Sequence, residues 1–150
     1  MRAIIQRVKK ASVAISGDHI ASIEKGVLIF VGIESMDDSP DIEWLAGKIV
    51  RMRIFPDEFG VMNKSLVDIA GEALVVSQFT LHASVKKGNR PTYSKAANAA
   101  VSKPLYERFI NQLGELMQLT PKTGRFGEDM QVHLINDGPV TIILDSKNKE

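Results

Sequence analysis

The sequence predicts an α+β fold, in which a mostly antiparallel β-sheet or barrel carries two amphipathic helices packed on it. Three observations favour this class. Short β-branched runs bounded by turn residues fill both ends of the chain. Two segments, near residues 40–52 and 104–120, repeat apolar residues at helical spacing. There is no internal repeat and no linker, so we expect residues 1–150 to form a single domain.

The first third of the chain predicts a meander of strands. The predicted strands are Arg2–Val8, Ser12–Ile15, His19–Ile23 and Val27–Ile33. The polar pair Lys9-Lys10 joins the first two, and turns near residues 16–18 and 25–26 join the others. Because the run 27–33 is apolar almost throughout, we expect a central strand buried on both faces.

A helix is predicted next, with Ser39 as its N-cap and Pro40 as its first residue. One apolar stripe supports it, formed by Ile42, Leu45, Ala46, Ile49 and Met52. After the helix, residues 53–55 and 61–64 are expected to pair around a loop, and residues 73–81 to form a further strand.

The second helix is predicted to start at Pro104, with Ser102 or Lys103 before it, and to end before Pro121. Its apolar face consists of Leu105, Phe109, Leu113 and Leu116. The preceding stretch 86–101 is polar, with helical character expected only around 96–100. Strands at 130–135 and 140–144 close the chain, and the tail 147–150 is expected to fray.

Composition excludes several classes of function. No apolar run approaches the roughly 20 residues of a membrane span, and the N-terminus lacks the pattern of a signal peptide. The absence of cysteine excludes disulfides and suits a cytoplasmic location. The three histidines have no metal-ligand spacing, and no serine-nucleophile, phosphate-loop or dinucleotide motif occurs, so we expect no metal and no cofactor.

The end of the predicted strand 73–81 is the first candidate site. Period two places Gln78, Thr80 and His82 on one face, after apolar residues on the same face. Thr80 is a candidate nucleophile or positioning group, and backbone N–H groups beside it are candidate oxyanion donors. The alternative is an ordinary exposed strand end.

Two further segments are candidates. Lys86, Lys87 and Arg90 flank a glycine and suit phosphate contact, although such clusters are usually just solvated. Net charge is only +1, so contact with nucleic acid must come from local patches of this kind. The segment 136–139 has the residues of a plain hairpin turn, and a special role for Gly138-Pro139 would require an unusual backbone state such as a cis bond.

Taken together, five segments resemble the D-aminoacyl-tRNA deacylase family, also called D-tyrosyl-tRNA deacylases. They are Met1–Val8, Ser77-Gln78-Phe79-Thr80-Leu81, Gly88-Asn89-Arg90-Pro91, Thr123–Met130 and Asn136-Asp137-Gly138-Pro139-Val140-Thr141. Each segment is weak alone, but all five occur in order over essentially the whole chain.

The resemblance implies a cytoplasmic homodimer that hydrolyses the ester joining a D-amino acid, or mischarged glycine, to the terminal adenosine of tRNA. A cis Gly138-Pro139 would reach from one subunit into the pocket of the other and exclude L side chains. Arg7 would hold that loop, and Met130 would pack beside it. The segment Ser77-Gln78-Phe79-Thr80 would line the pocket, with Thr80 positioning the substrate.

Two other functions fit the same residues. The first is a non-enzymatic RNA-binding domain that uses Lys86, Lys87 and Arg90, with Phe79 or Tyr93 as stacking surfaces. The second is an interaction module in which the turn at 138–139 only closes a dimer.

Overall fold

The computed structural model describes residues Met1–Lys149. The strands are β1 (Arg2–Ile15), β2 (Asp18–Ile23), β3 (Gly26–Gly32), β4 (Phe55–Pro56), β5 (Met62–Lys64), β6 (Glu72–Ser77), β7 (Lys122–Thr123) and β8 (Gln131–Asp145). The helices are α1 (Ser39–Arg51) and α2 (Ala99–Met117), and a short 3-10 turn spans Phe79–His82. No helix in this part of the chain is long and apolar enough to cross a membrane.

One mixed sheet forms the frame of the molecule. Its strand order is β2-β1-β3-β6-β7, and β8 also pairs with β1. The pairs made by β1 are antiparallel, whereas β3–β6 and β6–β7 are parallel. The predicted α+β class, a β-rich domain with two covering helices, is therefore confirmed.

The strand β1 is continuous, and the prediction of two short runs separated by Lys9-Lys10 was wrong. Its first half pairs with β3 and its second half with β2, while β8 runs along its other edge. Both lysines are exposed, and the pairing with β8 shifts register between Val8 and Lys10. The strand continues because β8 pairs with it on both sides of this irregularity.

Alternate residues of the sheet contribute to two cores. The core beneath the helices includes Ala3, Ile5, Val27, Ile29, Val75, Leu45, Ile49, Phe109 and Leu113. The core on the opposite face includes Val8, Val13, Leu28, Leu74 and Val76. Since β3 and β6 contribute to both, they are buried on both faces, as predicted for the run 27–33.

The helix α1 buries the stripe predicted for it, with Leu45, Ala46 and Ile49 almost fully inaccessible. Its N-cap is Asp38, so the assignment of Ser39 as the cap was wrong by one residue. The amide of Asp38 donates to the Asp41 carboxylate at 3.0 Å, which closes the first turn. Beyond the helix, the predicted strand 53–55 is reduced to β4, which pairs antiparallel with β5.

The helix α2 starts earlier than predicted. Its N-cap is Asn98, whose side-chain oxygen accepts a hydrogen bond from the Val101 amide at 3.1 Å, and not Ser102 or Lys103. Pro104 therefore lies inside the helix, near its start. The alanines around the first turn favour helix strongly, and a proline so close to the N-terminus removes few hydrogen bonds.

The closing segment is one strand, β8, and not the predicted pair of strands around a hairpin turn. Residues 131–136 pair with the second half of β1, and residues 141–145 pair with its first half. The chain therefore keeps its direction. Residues 137–140 leave the ladder between Gln6 and Val8 as a multi-residue bulge, which we call the Gly-Pro bulge.

The tail 147–149 is held, so the expectation of fraying was wrong for these residues, while Glu150 lies outside the described chain. Lys147 Nζ lies 2.6 Å from Asp41 Oδ2, and Lys149 Nζ lies 5.2 Å from the centre of the Trp44 ring. Beside this contact, the ammonium group of Met1 is buried against the Asp37 carboxylate at 2.5 Å. These ion pairs fasten the C-terminal tail to α1 and the N-terminus to Asp37, just before the N-cap of α1.

Candidate active site

The main candidate site is a cavity of about 470 Å³ at the carboxyl ends of the parallel strands β3 and β6. Openings beyond the carboxyl ends of parallel strands are common binding sites, because the chain diverges there into loops. The start of α2 and the loop before β8 complete the walls. The lining includes Val31, Ile33, Val76, Ser77, Gln78, Phe79, Ala97, Ser102, Phe126, Glu128, Asp129 and Met130.

The segment after Ser77 does not continue as the predicted strand. The Gln78 amide still donates to the Val31 carbonyl at 2.8 Å, and the chain then winds into the 3-10 turn. Gly32, at the end of β3, makes this possible: a Cβ placed there would lie 2.8 Å from the Gln78 carbonyl oxygen and 3.0 Å from Leu81 Cβ. Gln78 and Thr80 were predicted to share one face of a strand. They lie instead close together on one tight turn.

The polar groups of this turn are few. Gln78 Nε2 donates to Thr80 Oγ1 at 2.6 Å, and within residues 1–149 this is the only side-chain hydrogen bond of Thr80. No carboxylate or imidazole of residues 1–149 makes a hydrogen bond to the Thr80 hydroxyl. The amides of Phe79 and Thr80 begin the turn, where helical N–H groups lack an internal acceptor, and neither donates a hydrogen bond in the described chain. The turn therefore presents backbone donors beside a threonine without a base.

His82 closes the turn and is 2% exposed. Neither ring nitrogen has a hydrogen-bond partner among the described residues. The expectation that it shares a strand face with Gln78 and Thr80 was wrong, because the strand ends at Ser77. Within the described chain, no group of three or more potential metal-binding side chains comes together.

Two aromatic residues support the cavity from behind. The Tyr106 hydroxyl, on α2, donates to the Val75 carbonyl at 3.0 Å and so ties the helix to β6 just before Ser77. Burial raises the pKa of this hydroxyl. The Tyr106 ring contacts Phe126 at 5.6 Å between centroids, and Phe126 lines the cavity. Neither residue stood out in the sequence as a site residue: Tyr106 lies within a predicted helix, and Phe126 is a single aromatic residue in a polar segment.

The remaining wall is acidic and was also missed. Glu128 and Asp129 line the cavity beside Met130. Met130 packs closely on Gly124, where an added Cβ would lie 2.4 Å from its sulfur. Both carboxylates lie inside the segment 123–130, which resembles the family. Their position in that segment was the one feature of the sequence that could have marked them as site residues.

The Gly-Pro bulge is a second, separate region. Its Gly138–Pro139 peptide bond is cis, and both residues are exposed. The buried side chain of Arg7 anchors it: Nε donates to the Asp137 carbonyl at 3.0 Å and lies 3.1 Å from the Asp137 carboxylate. Arg7 Nη1 also donates to the Ile54 carbonyl at 2.5 Å. One guanidinium thus joins the bulge to Ile54, in the segment between α1 and β4.

The predicted site residues do not form one cluster within a single chain. Met130 precedes Gln131, which pairs with Ala14, whereas the bulge lies beside Arg7. Seven residues of strand separate these two positions on β1, a distance of roughly 23 Å. Met130 therefore belongs with Ser77, Gln78 and Phe79 at the cavity, away from the bulge of its own chain.

The basic residues lie on a loop beside the cavity. Paired hydrogen bonds between Ser84 and Thr92, at 2.8 and 2.9 Å, close this loop, and its members Lys86, Lys87 and Arg90 are exposed. Tyr93 follows directly and its ring contacts Phe79, with centroids 5.0 Å apart. Through this contact the basic loop lies next to the cavity, which Phe79 lines.

Fold and site together define a small α+β protein whose cavity is lined by the side chains of Ser77 and Gln78, beside a turn with unpaired backbone N–H groups. A family model described as D-Tyr-tRNA(Tyr) deacylase matches residues 4–145. Curated relatives include D-aminoacyl-tRNA deacylases of Bacteroides thetaiotaomicron, 59% identical, and of Dechloromonas aromatica, 55% identical, each aligned over all of both chains. The chain belongs to the D-Tyr-tRNA(Tyr) deacylase family and is a hydrolase.

Solved structures agree on the fold. One titled c-Myc DNA Unwinding Element Binding Protein is 40% identical, with a TM-score of 0.91 over 97% of this chain and 98% of that chain. A probable eukaryotic D-amino acid tRNA deacylase is 18% identical, with a TM-score of 0.79 over 95% of this chain and 97% of that chain. The second likeness concerns the fold alone.

Proposed function

We propose that this protein hydrolyses the ester of D-aminoacyl-tRNA, and of mischarged glycyl-tRNA, releasing the free amino acid and tRNA while rejecting L-aminoacyl-tRNA. The observation that carries the proposal is the 55–59% identity to D-aminoacyl-tRNA deacylases over the whole chain. The cavity supports it, because about 470 Å³ accommodates a nucleoside with its ester.

The chemistry requires little side-chain apparatus. Water adds to the ester carbonyl carbon, and the bond to the ribose oxygen then breaks as a proton from the water passes to that oxygen. If the neighbouring ribose hydroxyl adds first, the acyl group moves to that oxygen and water then cleaves the new ester in the same way. The free amides of Phe79 and Thr80 are the proposed donors to the developing oxyanion. Gln78, Ser77 and the Thr80 hydroxyl position the substrate.

Thr80 is proposed as a positioning residue because no base lies beside it. A Thr80→Ala variant should therefore keep measurable turnover. Trapping an acyl-threonine by mass spectrometry after mixing with substrate would contradict this assignment.

Selection against L-amino acids is assigned to Gly138 and Pro139 of a second copy. A wall of backbone excludes a side chain by overpacking, yet leaves the opposite hand and glycine free. Gly138 has a φ of +128°, and a Cβ there would lie 2.9 Å from the Arg7 guanidinium, so Gly138→Val should disturb the wall. Full, still D-specific activity of that variant would contradict the assignment.

A homodimer is proposed because an apolar row on the sheet is only partly covered. Phe30, Ile4 and Ile143 are aligned across β3, β1 and β8, and Ile143 is 73% exposed. Ile4 lies between Arg2 and Arg7 on β1, and these two arginines are roughly 17 Å apart along the strand. Arg7 is at the bulge, whereas Arg2 donates to the Leu81 carbonyl of the 3-10 turn at 3.1 Å. A two-fold axis near this row would bring the bulge of one copy to the 3-10 turn of the other.

The loop with Lys86, Lys87 and Arg90 is the proposed contact for tRNA phosphates, and the cytoplasm is the proposed location. No metal or cofactor is required by this scheme. A non-enzymatic nucleic-acid-binding role is the second candidate, and it is favoured by the exposed Phe79–Tyr93 pair and the adjoining basic loop.

The decisive experiment is deacylation of matched D- and L-tyrosyl-tRNA and of glycyl-tRNA, measured by the release of labelled amino acid. Hydrolysis of the D and glycyl substrates alone would support the proposal. Binding of tRNA without turnover would favour the second candidate. Neither binding nor turnover would leave an interaction module that closes a dimer.

A further inference from the structure

The cavity lies at the border between a basic and an acidic part of the chain. Residues 73–106 contain no aspartate or glutamate, while Lys86, Lys87, Arg90, Lys95 and Lys103 give this stretch five positive charges. Because the net charge of the whole chain is only +1, the remaining residues together carry four more negative than positive charges. The near-neutral total therefore conceals one strongly basic stretch.

The structure wraps this basic stretch around one side of the cavity. It contributes Ser77–Phe79, continues through the loop closed by Ser84 and Thr92, and returns with the first turn of α2, where Ser102 lines the cavity. The opposite wall carries Glu128 and Asp129. A ligand with an anionic chain at one end should therefore bind with that chain over the basic loop, because Glu128 and Asp129 on the opposite wall repel it.

Two aromatic rings occupy the border between cavity and loop. Phe79 lines the cavity and is 56% exposed, and Tyr93 directly follows the loop and is 39% exposed. Their planes meet at 73° with centroids 5.0 Å apart. Large aromatic side chains usually bury their rings, so a mutually supported pair left open beside cations is a suitable surface for a nucleobase.

We propose that Phe79 and Tyr93 form a stacking platform for the nucleotide that precedes the terminal adenosine, with the cations of the loop on its phosphates. This inference rests on the proposed function and adds the direction in which the RNA strand leaves the cavity. Stacking on a ring tolerates any base, because every base has a π-face. The platform thus supplies affinity for the single-stranded end without reading its sequence.

Tyr93 is the residue to test, because it lies outside the residues assigned to chemistry. Tyr93→Ala is compared with Tyr93→Phe, which keeps the ring, on D-tyrosyl-tRNA and on 3′-O-D-tyrosyl-adenosine, which lacks the preceding nucleotide. For Tyr93→Ala we expect kcat/KM on the tRNA substrate to fall about tenfold, the equivalent of one stacked base. The adenosine ester should be hydrolysed equally by all three proteins, and Tyr93→Phe should match the wild type on both substrates.

Two results would overturn the platform. Unchanged hydrolysis of tRNA by Tyr93→Ala would show that no base stacks there, and an equal loss on both substrates would show a general effect on the cavity. Fluorescence anisotropy of a labelled single-stranded RNA ending in adenosine separates this inference from the proposed function. If the wild type hydrolyses neither substrate, the proposed function fails, while weaker RNA binding by Tyr93→Ala supports the platform and equal binding overturns it.

Discussion

The cavity and the Gly-Pro bulge differ in how they are held. The cavity rests on β3 and β6, strands buried on both faces, and its 3-10 turn lies against Gly32. The bulge is exposed and depends on one buried guanidinium, Arg7, that contacts Asp137 and Ile54. Packing spreads its stabilisation over many atoms, whereas an anchor concentrates it in one side chain. The bulge should therefore be the region more sensitive to a single substitution.

Replacement of Arg7 is expected to have the largest effect. Arg7→Met leaves the Asp137 and Ile54 groups without their buried donor, so the free energy of unfolding should fall by about 2–3 kcal/mol. Urea denaturation measures this loss, and hydrolysis of D-tyrosyl-tRNA should fall with it. Arg7→Lys, which keeps the charge but not the planar fork, should recover only part of the stability. A fully stable Arg7→Met protein would show that the bulge is held by other contacts.

A methyl group at Gly32 tests the cavity. In Gly32→Ala, the added Cβ would meet the Gln78 carbonyl at 2.8 Å, so the 3-10 turn must move. Stability should fall by about 1–2 kcal/mol, and kcat/KM by about 10- to 100-fold, because misplacement of about 1 Å is enough for such a loss. Gly47→Ala on α1 is the control, since its Cβ would meet only the flexible end of Arg51. Wild-type kinetics for Gly32→Ala would mean that the turn is not set by β3.

The Tyr106 hydroxyl should matter less. Val75 accepts a second hydrogen bond, from the Gly124 amide at 3.2 Å, so Tyr106→Phe should cost about 1 kcal/mol with no change in D over L selection. Burial raises the pKa of Tyr106 above its ordinary value of 10.0. Above pH 10 the unfolded chain loses this proton while the folded protein keeps it, so wild-type stability should fall with rising pH. Thermal unfolding at pH 8 and pH 10.5 should show a smaller decline for Tyr106→Phe.

The contact between the tail and α1 should have the smallest effect, because it touches neither region. Burial alone would raise the pKa of Asp41, but hydrogen bonds from Lys147, Ser146 and Asp38 outweigh it and hold this pKa well below 3.8. The carboxylate therefore stabilises the fold above about pH 4, and this contribution is lost as the pH falls further. Asp41→Asn should be less stable than the wild type at pH 7, and the difference should narrow on acidification. A constant difference from pH 7 to pH 2.5 would contradict this.

Elements whose burial follows a simple periodic pattern were predicted correctly from the sequence. The predictions for the apolar stripe of α1 and the apolar run of β3 were correct, because the spacing of apolar residues indicates whether one face or both faces are buried. The end of β6 was missed because alternation continues through Thr80, and only the neighbouring Gly32 shows that the chain must turn. The start of α2 was missed because Pro104 was taken as a beginning, although Asn98 caps the helix earlier.

The candidate site divides in the same way. Ser77, Gln78, Phe79 and Met130 were singled out from the sequence and do meet at one cavity. Tyr106, Glu128 and Asp129 were not, since a helical aromatic and two charges in a loop have no distinctive local pattern. The hairpin predicted at residues 136–139 was wrong because both flanking segments pair with β1, a partner at least 117 residues away that no local pattern identifies.

The Gly-Pro bulge also bears on the exposed edge of the sheet. The strand β8 is 15 residues long and pairs only with β1 within the described sheet, so its outer edge presents unpaired backbone groups beside the exposed Leu134, Ile135 and Ile143. A long, flat, apolar edge invites another strand to add to it. Because residues 137–140 leave the ladder and Pro139 has no N–H to donate, that edge is divided into two short stretches. The segment proposed to inspect the substrate is thus also the interruption that an added strand would meet at this edge.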